Sequence, residues 1–566
     1  MSSSSTGGCG STGWMGMVLT VRETNMILVM QKLMEKPEWF RKVFDDIICN
    51  KWMAEVMSQV EDFSELMWQY CVAELRDKSK TLEETGIVAP VDVDAQVVYS
   101  DTMVSEQLRQ DLNRAVASLE NVPAKDKDWH PRTRERVLDL VHPSLFPLIY
   151  GRSRVMKEVI QSPENTPRLY SEQFQWLPCD VKFEGENDVK IVSYINNLHP
   201  QEHSELYRLI EKIIAKAVPL WDQVFSHTGG SLCEYNGTTK SRGYVRPFHP
   251  RVEINDYSWE TEEEKAELKT LADAMDTRLD GWYEASQKAD EEKGLSSDES
   301  WDLDQWWSRN MRTLQMPEPK PFTPREDPGE PLLNLRQEYA DSGLQIIVKL
   351  ANTYLTPNDP QWDGGSWHVE GLLNEHIVAT AIYYFSNDNI TPSHLKFRHN
   401  GSDEAGLDMA YEQYDWEHLE KITGFRDESD ALIQNLGSVL CRQGRLLAFP
   451  NVLQHNVGSC ELEDHTRQGE RKILALFLVD PHVRIPSTSK VPPQRRDWWQ
   501  SELQREHIDK LKTLPNELME QVFNDVTDFP ISMDEAKDIR ETLMEERGPI
   551  ADDMIECEAS FYFCEH

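Results

Sequence analysis

The sequence predicts an α+β protein whose core is an antiparallel sandwich or barrel, with extensive helical regions before and after it. Three observations carry this expectation. Between Leu344 and Asp480, short apolar runs bounded by turn residues follow one another, and no helix-period segment separates most of them. Helix-period patterns lie on both sides of that stretch. The composition is that of a globular chain, 39% hydrophobic and 28% charged, with 17 Trp, 17 Tyr and 18 Phe to fill a core.

Taken in order, residues 1–18 read as a disordered Ser/Gly leader, and 19–170 as an N-terminal helical region. Met26, Val29, Leu33, Phe40, Val43 and Ile47 recur at three- and four-residue intervals from Val21 to about Val60, with a break at Pro37. A second helical stretch runs from Ser105 to Leu119. The run from Val137 to Arg152 is too apolar for the surface and too broken by Pro for one helix, so it is expected to pack on a neighbouring layer. Residues 171–257 join the core: two strands, Val181–Gly185 and Val189–Ile195, flank a polar turn, and Leu206, Leu209, Ile213, Ala217 and Trp221 mark an amphipathic helix.

Residues 258–330 form an acidic, then Pro-rich insertion or linker. The core proper, 331–490, carries the strands Leu344–Ala351, Ile377–Phe385, His394–Arg398, Arg445–Phe449 and Lys472–Asp480. The C-terminal region, 491–566, returns to helix, and Ser532 with Glu535 has the spacing of a capping box.

The bulk numbers exclude several classes. The formal net charge is -39, from 98 acidic and 59 basic residues, and no Lys/Arg-rich run interrupts it. Such a surface repels phosphate backbones, so no nucleic-acid partner is expected; solubility is its ordinary use, and attraction of a cationic partner its alternative. Nine Cys without a C-x-x-C pair suit reduced, buried thiols, and the first residues lack a secretory pattern. No apolar run is long enough for a bilayer. A cytoplasmic or nuclear protein with no membrane partner is the expectation. Phosphate-binding glycine loops and nucleophile elbows are missing from the sequence.

One constellation carries chemistry. GGSWHVEG places His368 and Glu370 two residues apart, and on a strand i and i+2 share a face. GRLLAFPNVLQHNVG offers His455 just beyond a strand ending at Phe449. Two His and one carboxylate on one side of a metal leave the opposite positions open, the set expected of a non-haem Fe(II) oxygenase, which must take a cosubstrate and dioxygen together.

The order of these pieces resembles the jelly-roll oxygenases, and IVATAIYYF and GERKILALFLVD resemble their prolyl-hydroxylase-like branch. The resemblance implies a double-stranded β-helix (jelly-roll) core, Fe(II) held by His368, Glu370 and His455, and 2-oxoglutarate as cosubstrate. It also implies Tyr384 and Arg471 as partners of the distal 2-oxoglutarate carboxylate. A guanidinium suits that carboxylate through paired hydrogen bonds. Alternation would turn Arg471 inward with Ile473 and Ala475, and Lys472 away; Arg467 is the competing cation.

Two features depart from the branch: Glu370 stands where Asp is commoner, and Arg471 lies further beyond the distal His. Jumonji-type oxygenases accept H-x-E too, but take 2-oxoglutarate with a Lys at a position where this chain has Tyr384 and Ser386. Over the whole length, EWFRKVF, DWHP, QWLPCDV, SYINNLHP, VPPQRRDWW and the terminal CEH together resemble a large, mostly fungal family of unknown function, from about Leu19 to His566.

The implied activity is oxidation, by default hydroxylation, of a C–H bond on a small molecule. The alternatives are hydroxylation of a protein side chain and a non-catalytic jelly-roll scaffold. Lys349 and Asn352, on the strand before the metal loop, are candidate pocket-lining residues. Cys460 and His465 read as loop residues, and Trp367 and the Trp306–Trp307 and Trp498–Trp499 pairs as packing.

Overall fold

The computed structural model describes residues 15–155, 158–159, 169–226, 316–324, 333–401, 416–426, 430–505, 515, 518, 521 and 529–555. Three long helices, with a single turn at Trp39–Lys42 between the first two, precede the first strand. In α1 (Val21–Met34) the Thr20 side chain accepts the Glu23 N–H, and in α2 (Asp46–Gln59) Asp45 accepts two amides of the first turn. Helix α3 (Glu65–Thr85) starts on Ser64 and stops at Gly86, whose φ of 74° closes the last turn.

A hairpin follows, β1 (Val88–Asp92) and β2 (Gln96–Ser100), then α4 (Glu106–Glu120) and β3 (Val137–Val141). Strands β4 (Cys179–Glu184) and β5 (Asp188–Ile191) form the second hairpin, and α5 (Ser204–Ser226) is the amphipathic helix the periodicity predicts. The central strands are β6 (Leu344–Leu355), β7 (Ile377–Asp388), β8 (His394–Asn400), β9 (Ile433–Leu440), β10 (Leu446–Pro450), β11 (Gln454–Val457) and β12 (Gly469–Val479). A last helix, α6, spans Met533–Ile555.

The architecture is mixed α/β with antiparallel sheets. The large sheet has the order β1-β2-β10-β7-β12-β6-β4-β5, with β3 also on β6; a second sheet has the order β9-β8-β11. The large sheet is buried on both faces. One face, with Ile347, Tyr384, Phe449, Ala475 and Phe477, shares a core with Leu395, Phe397, Leu436 and Val439 of the second sheet. The other, with Ile346, Val348, Tyr383, Leu474 and Leu476, packs on α5, whose Trp221 is fully buried. Burial on both faces explains why these strands read as unbroken apolar runs, without clean alternation. Helix α1 packs on both β1 and β9 and so covers one edge of the two-sheet core.

Three expectations need adjusting. Residues 19–170 hold strands of the large sheet besides their helices, because valines at 88, 91, 97 and 98 bury against it and β2 pairs with β10. Residues 15–18, expected within the disordered leader, are fastened: the Gly16 N–H donates to Asn400 O and Val18 is buried. Of the insertion at 258–330 only 316–324 is described; there Arg22 pairs with Glu318 and donates to the Met316 and Pro317 carbonyls. Among the described residues no helix is long and apolar enough to cross a membrane.

Helix α6 reaches back to the core through a buried ion pair. Glu375 is fully buried and accepts hydrogen bonds from Arg547 Nη2 (2.5 Å), the Trp176 N–H (2.8 Å) and the Leu372 N–H (2.6 Å). Removing the cation strands a buried carboxylate. Arg547→Met should therefore lower the unfolding free energy by about 3 kcal/mol in urea titration. An unchanged midpoint would show that the pair does not anchor the helix.

Candidate metal centre

The segment before β7 is extended and lies along β11. The His368 N–H donates to His455 O (3.1 Å) and the His455 N–H to His368 O (2.9 Å), so the two residues face each other as a hydrogen-bonded antiparallel pair. Their rings sit on one side, with centroids 4.3 Å apart. Upstream, Gly364 at φ 98° lets the chain pass close to β11; a Cβ there would collide with Val457 O. Extended backbone then brings Glu370 to the same face as His368, as the two-residue spacing predicts. Asn451 fixes the other end: its Oδ1 accepts the Glu370 N–H and its Nδ2 donates to Glu370 O, both at 2.9 Å.

These contacts aim three donor atoms at one point. Glu370 Oε1 lies 3.3 Å from His455 Nε2 and 3.8 Å from His368 Nε2. His368 Nδ1 is 2.9 Å from the Ser366 carbonyl oxygen, so that nitrogen carries the hydrogen and Nε2 keeps its lone pair. Desolvation, then the neighbouring His455, hold the His368 pKa down to about 4, so the ring is neutral. Burial pushes Glu370 up, but the His455 hydrogen bond and the nearby His368, His455 and Lys349 outweigh it and bring it down to about 2. His455 is buried against Phe449 (4.7 Å between centroids), and its Nδ1 finds no partner among the described residues. His368 Nε2 offers its lone pair as it stands; His455 Nε2, which donates to Glu370 without a metal, offers one once its hydrogen moves to the unpartnered Nδ1, and with the ionised carboxylate the three form a donor set that can hold a divalent metal ion.

A second group, His130, Asp139 and His142, is equally compact. Its chemistry is different. His142 Nδ1 accepts the Ser144 N–H (3.2 Å), which leaves its hydrogen on Nε2 and no free lone pair. Asp139 Oδ2 is taken by His130 Nδ1 (2.7 Å) and lies 3.4 Å from Arg540 Nη1. A guanidinium beside the carboxylate opposes a dication, so this group is a hydrogen-bonded network.

Beyond the triad, Arg471 and Tyr384 are both buried and face the same core. Arg471 Nη1 donates to Ser393 Oγ (2.7 Å), and its guanidinium lies 5.0 Å from the Trp362 ring centroid. Burial, then the adjacent Cys441, push the Tyr384 pKa well above its usual value; Cys441 Sγ donates to Tyr384 Oη at 3.4 Å. Arg467 is a surface residue paired with Asp388 (2.5 Å), and Lys472 points away, to Glu120.

Strand parity separates the two pocket candidates on β6. Asn352 donates to Glu120 Oε1 (2.7 Å) on the α4 side, so it does not line the site, whereas the charge of Lys349 acts on His368 and Glu370. Trp367 packs under Arg398, 4.4 Å from its guanidinium carbon. Asn451, Ser393 and Cys441 went unnoticed in the sequence; only the Pro-Asn turn before His455 hints at the first. Trp306 and Trp307 lie outside the described residues.

A sequence model of the family described as "Protein of unknown function (DUF4246)" matches residues 65–502, and one for its N-terminal domain matches residues 3–55. No curated protein matches the chain. Among solved structures, a selenomethionine-labelled Fe(II)/(alpha)ketoglutarate-dependent dioxygenase, TqaL, is 16% identical over 25% of this chain and 43% of its own, with a TM-score of 0.15. AviO1 from Streptomyces viridochromogenes Tue57 is 14% identical over 42% of this chain and 94% of its own (TM-score 0.15). EvdO2 from Micromonospora carbonacea var. aurantiaca is 9% identical over 26% and 58% (TM-score 0.14). The chain spans less than half of the first, and likenesses at these scores carry no argument about activity.

The depressed His368 pKa is open to measurement. In metal-free protein its imidazole resonance should keep the neutral-form shift from pH 7 to 5 and move only near pH 4. The unfolded chain takes up that proton first, so this residue's contribution to stability falls as the pH drops from 6.5 toward about 4. A midpoint near 6.5 would mean that the ring is not held as described.

Proposed function

This chain belongs to the DUF4246 family of proteins of unknown function, and we propose that it is an Fe(II)- and 2-oxoglutarate-dependent oxygenase acting on a C–H bond of a small molecule. The observation that carries the reading is the pairing of two features on one core. The His368/Glu370/His455 donor set stands beside a second, buried cation, Arg471, that no carboxylate occupies among the described residues. Two His and a carboxylate alone would also suit a zinc hydrolase. A zinc site has no need of a buried guanidinium and a protonated phenol next to it; an anionic chelating cosubstrate does.

The strand order supports a double-stranded β-helix. The large sheet contains β6, β12, β7 and β10 side by side, and the second sheet continues from β9, β8 and β11 to the extended segment at His368. On that reading the donor set would sit at the mouth between the two sheets, as the resemblance to jelly-roll oxygenases implies.

With Fe(II) and 2-oxoglutarate bound, the pair supplies oxidative decarboxylation to succinate and CO2 coupled to C–H oxidation. The chain's own residues do the rest. His368, Glu370 and His455 would hold the metal from one side and leave the opposite side for ligands. Ser393 and the Trp362 ring hold the Arg471 guanidinium in place, so its remaining N–H groups are set for the distal carboxylate before it arrives. Tyr384 stays protonated at any physiological pH and can donate its O–H to the same carboxylate. Glu370 is longer than the commoner Asp by one methylene, and the Asn451 clamp on its backbone fixes where that longer arm starts. Hydroxylation is the default outcome; desaturation or ring closure would use the same residues.

Anaerobic titration with Fe(II) and 2-oxoglutarate should give a weak visible charge-transfer band in wild type and none in His368→Ala. Arg471→Met should raise the 2-oxoglutarate midpoint by about 10- to 100-fold, the loss of one charge-assisted pair. A folded wild type without the band would remove the cosubstrate, and a band surviving His368→Ala would remove the ligand assignment.

A further inference from the structure

Lys349 lies on β6 opposite Ala475 of β12, and its side chain enters the core face that carries the donor set. It is only partly exposed, and its ammonium makes no hydrogen bond or ion pair among the described residues. Its charge acts on His368 and Glu370 on one side and on Asp139 and His142 on the other. Neither carboxylate is its counter-ion. Asp139 pairs with His130 and Arg540, and Asp128 pairs with Arg540 and Lys537, so those charges are already matched. Glu370 belongs to the donor set.

A half-buried ammonium on a central strand loses part of its hydration, and no carboxylate among the described residues returns it. It is also out of keeping with so acidic a chain, 98 acidic against 59 basic residues, that no acidic residue among the described ones serves this lysine. Arg471 faces Thr353 in the register, four residues further along β6, roughly 13 Å at the rise of a strand. The two cations therefore share one face of the sheet, displaced from each other along β6. An Fe(II) ion, Glu370, a 2-oxoglutarate dianion and Arg471 together carry no net charge, which leaves Lys349 with one positive charge in excess.

We propose that Lys349 is the substrate anchor: the small molecule oxidised at this site is a carboxylate, and its carboxylate is held by the Lys349 ammonium, apart from the cosubstrate carboxylate at Arg471. This rests on the oxygenase reading above. It extends that reading from an unspecified small molecule to an organic anion, and makes Lys349 a specificity-determining residue that touches substrate.

The test uses matched probes: benzoate and benzamide, indole-3-acetate and indole-3-acetamide, N-acetyl-L-leucine and its amide. Each is titrated by thermal shift against the protein loaded anaerobically with Fe(II) and 2-oxoglutarate. At least one acid should stabilise wild type with a midpoint at least about tenfold below that of its amide, as expected for losing a charge-assisted hydrogen bond. The preference should vanish in Lys349→Met and persist in Lys349→Arg. Without probe, Lys349→Met should be at least as stable as wild type. Acids and amides acting alike, no acid acting at all, or a preference surviving in Lys349→Met would overturn the proposal, as would a Lys349→Met protein less stable than wild type. A raised 2-oxoglutarate midpoint in Lys349→Met would assign the lysine to the cosubstrate and overturn it too. A missing charge-transfer band in wild type, with the acid preference intact in metal-free protein, would defeat the oxygenase reading and leave the anion site standing.

Discussion

Three side chains from two distant segments must meet at one point, and the backbone pairing of His368 with His455 is what makes them meet. Much of the architecture serves that pairing. Gly364 lets the chain approach β11, and Asn451 seizes Glu370 from the turn that leads into β11. Glu375, just past the loop, is locked by Arg547 from α6. The same loop is thus held by the second sheet, by the turn after β10 and by the C-terminal helix. None of these contacts needs a metal ion, so the donor set is organised beforehand, at the energetic cost of gathering a carboxylate and two imidazoles without one.

Charge is distributed in a second consistent way. The chain as a whole is strongly acidic, but the core face that carries the donor set also carries Arg471 and Lys349, displaced along β6. Buried cations elsewhere are matched: Arg445 grips Asp101 with two nitrogens, and Arg540 does the same to Asp128. On the proposed function, the contrast between the matched structural cations and these two separates a device for holding the fold from one for holding anions.

Local pattern made part of this legible in the sequence. Alternation put His368 with Glu370, and Arg471 opposite to Lys472, because both statements concern neighbours on one strand. The strands β6, β7, β10 and β12 were visible because burial on both faces writes them as apolar runs, and β8 was read beside them, whereas β9 and β11, less completely buried, were not read as strands. The same alternation rules out pairing Lys349 with Asn352, and the structure places Asn352 against α4. What pattern could not reveal depends on contacts across long sequence separations. Asn451 and Glu370 are 81 residues apart, Glu375 and Arg547 172 apart, and β2 reaches β10 from the N-terminal region. The rivalry between the two His-containing groups was equally hidden, since it turns on which nitrogen the Ser144 and Ser366 backbones occupy.

The central claim is that one donor set, and not its neighbour, binds the metal. Anomalous scattering at the iron edge, from crystals grown anaerobically with Fe(II), tests it directly. The account predicts a single strong peak at bonding distance, about 2.0–2.2 Å, from His368 Nε2, His455 Nε2 and a Glu370 carboxylate oxygen. A peak among His130, Asp139 and His142, or none in fully loaded crystals, would contradict it.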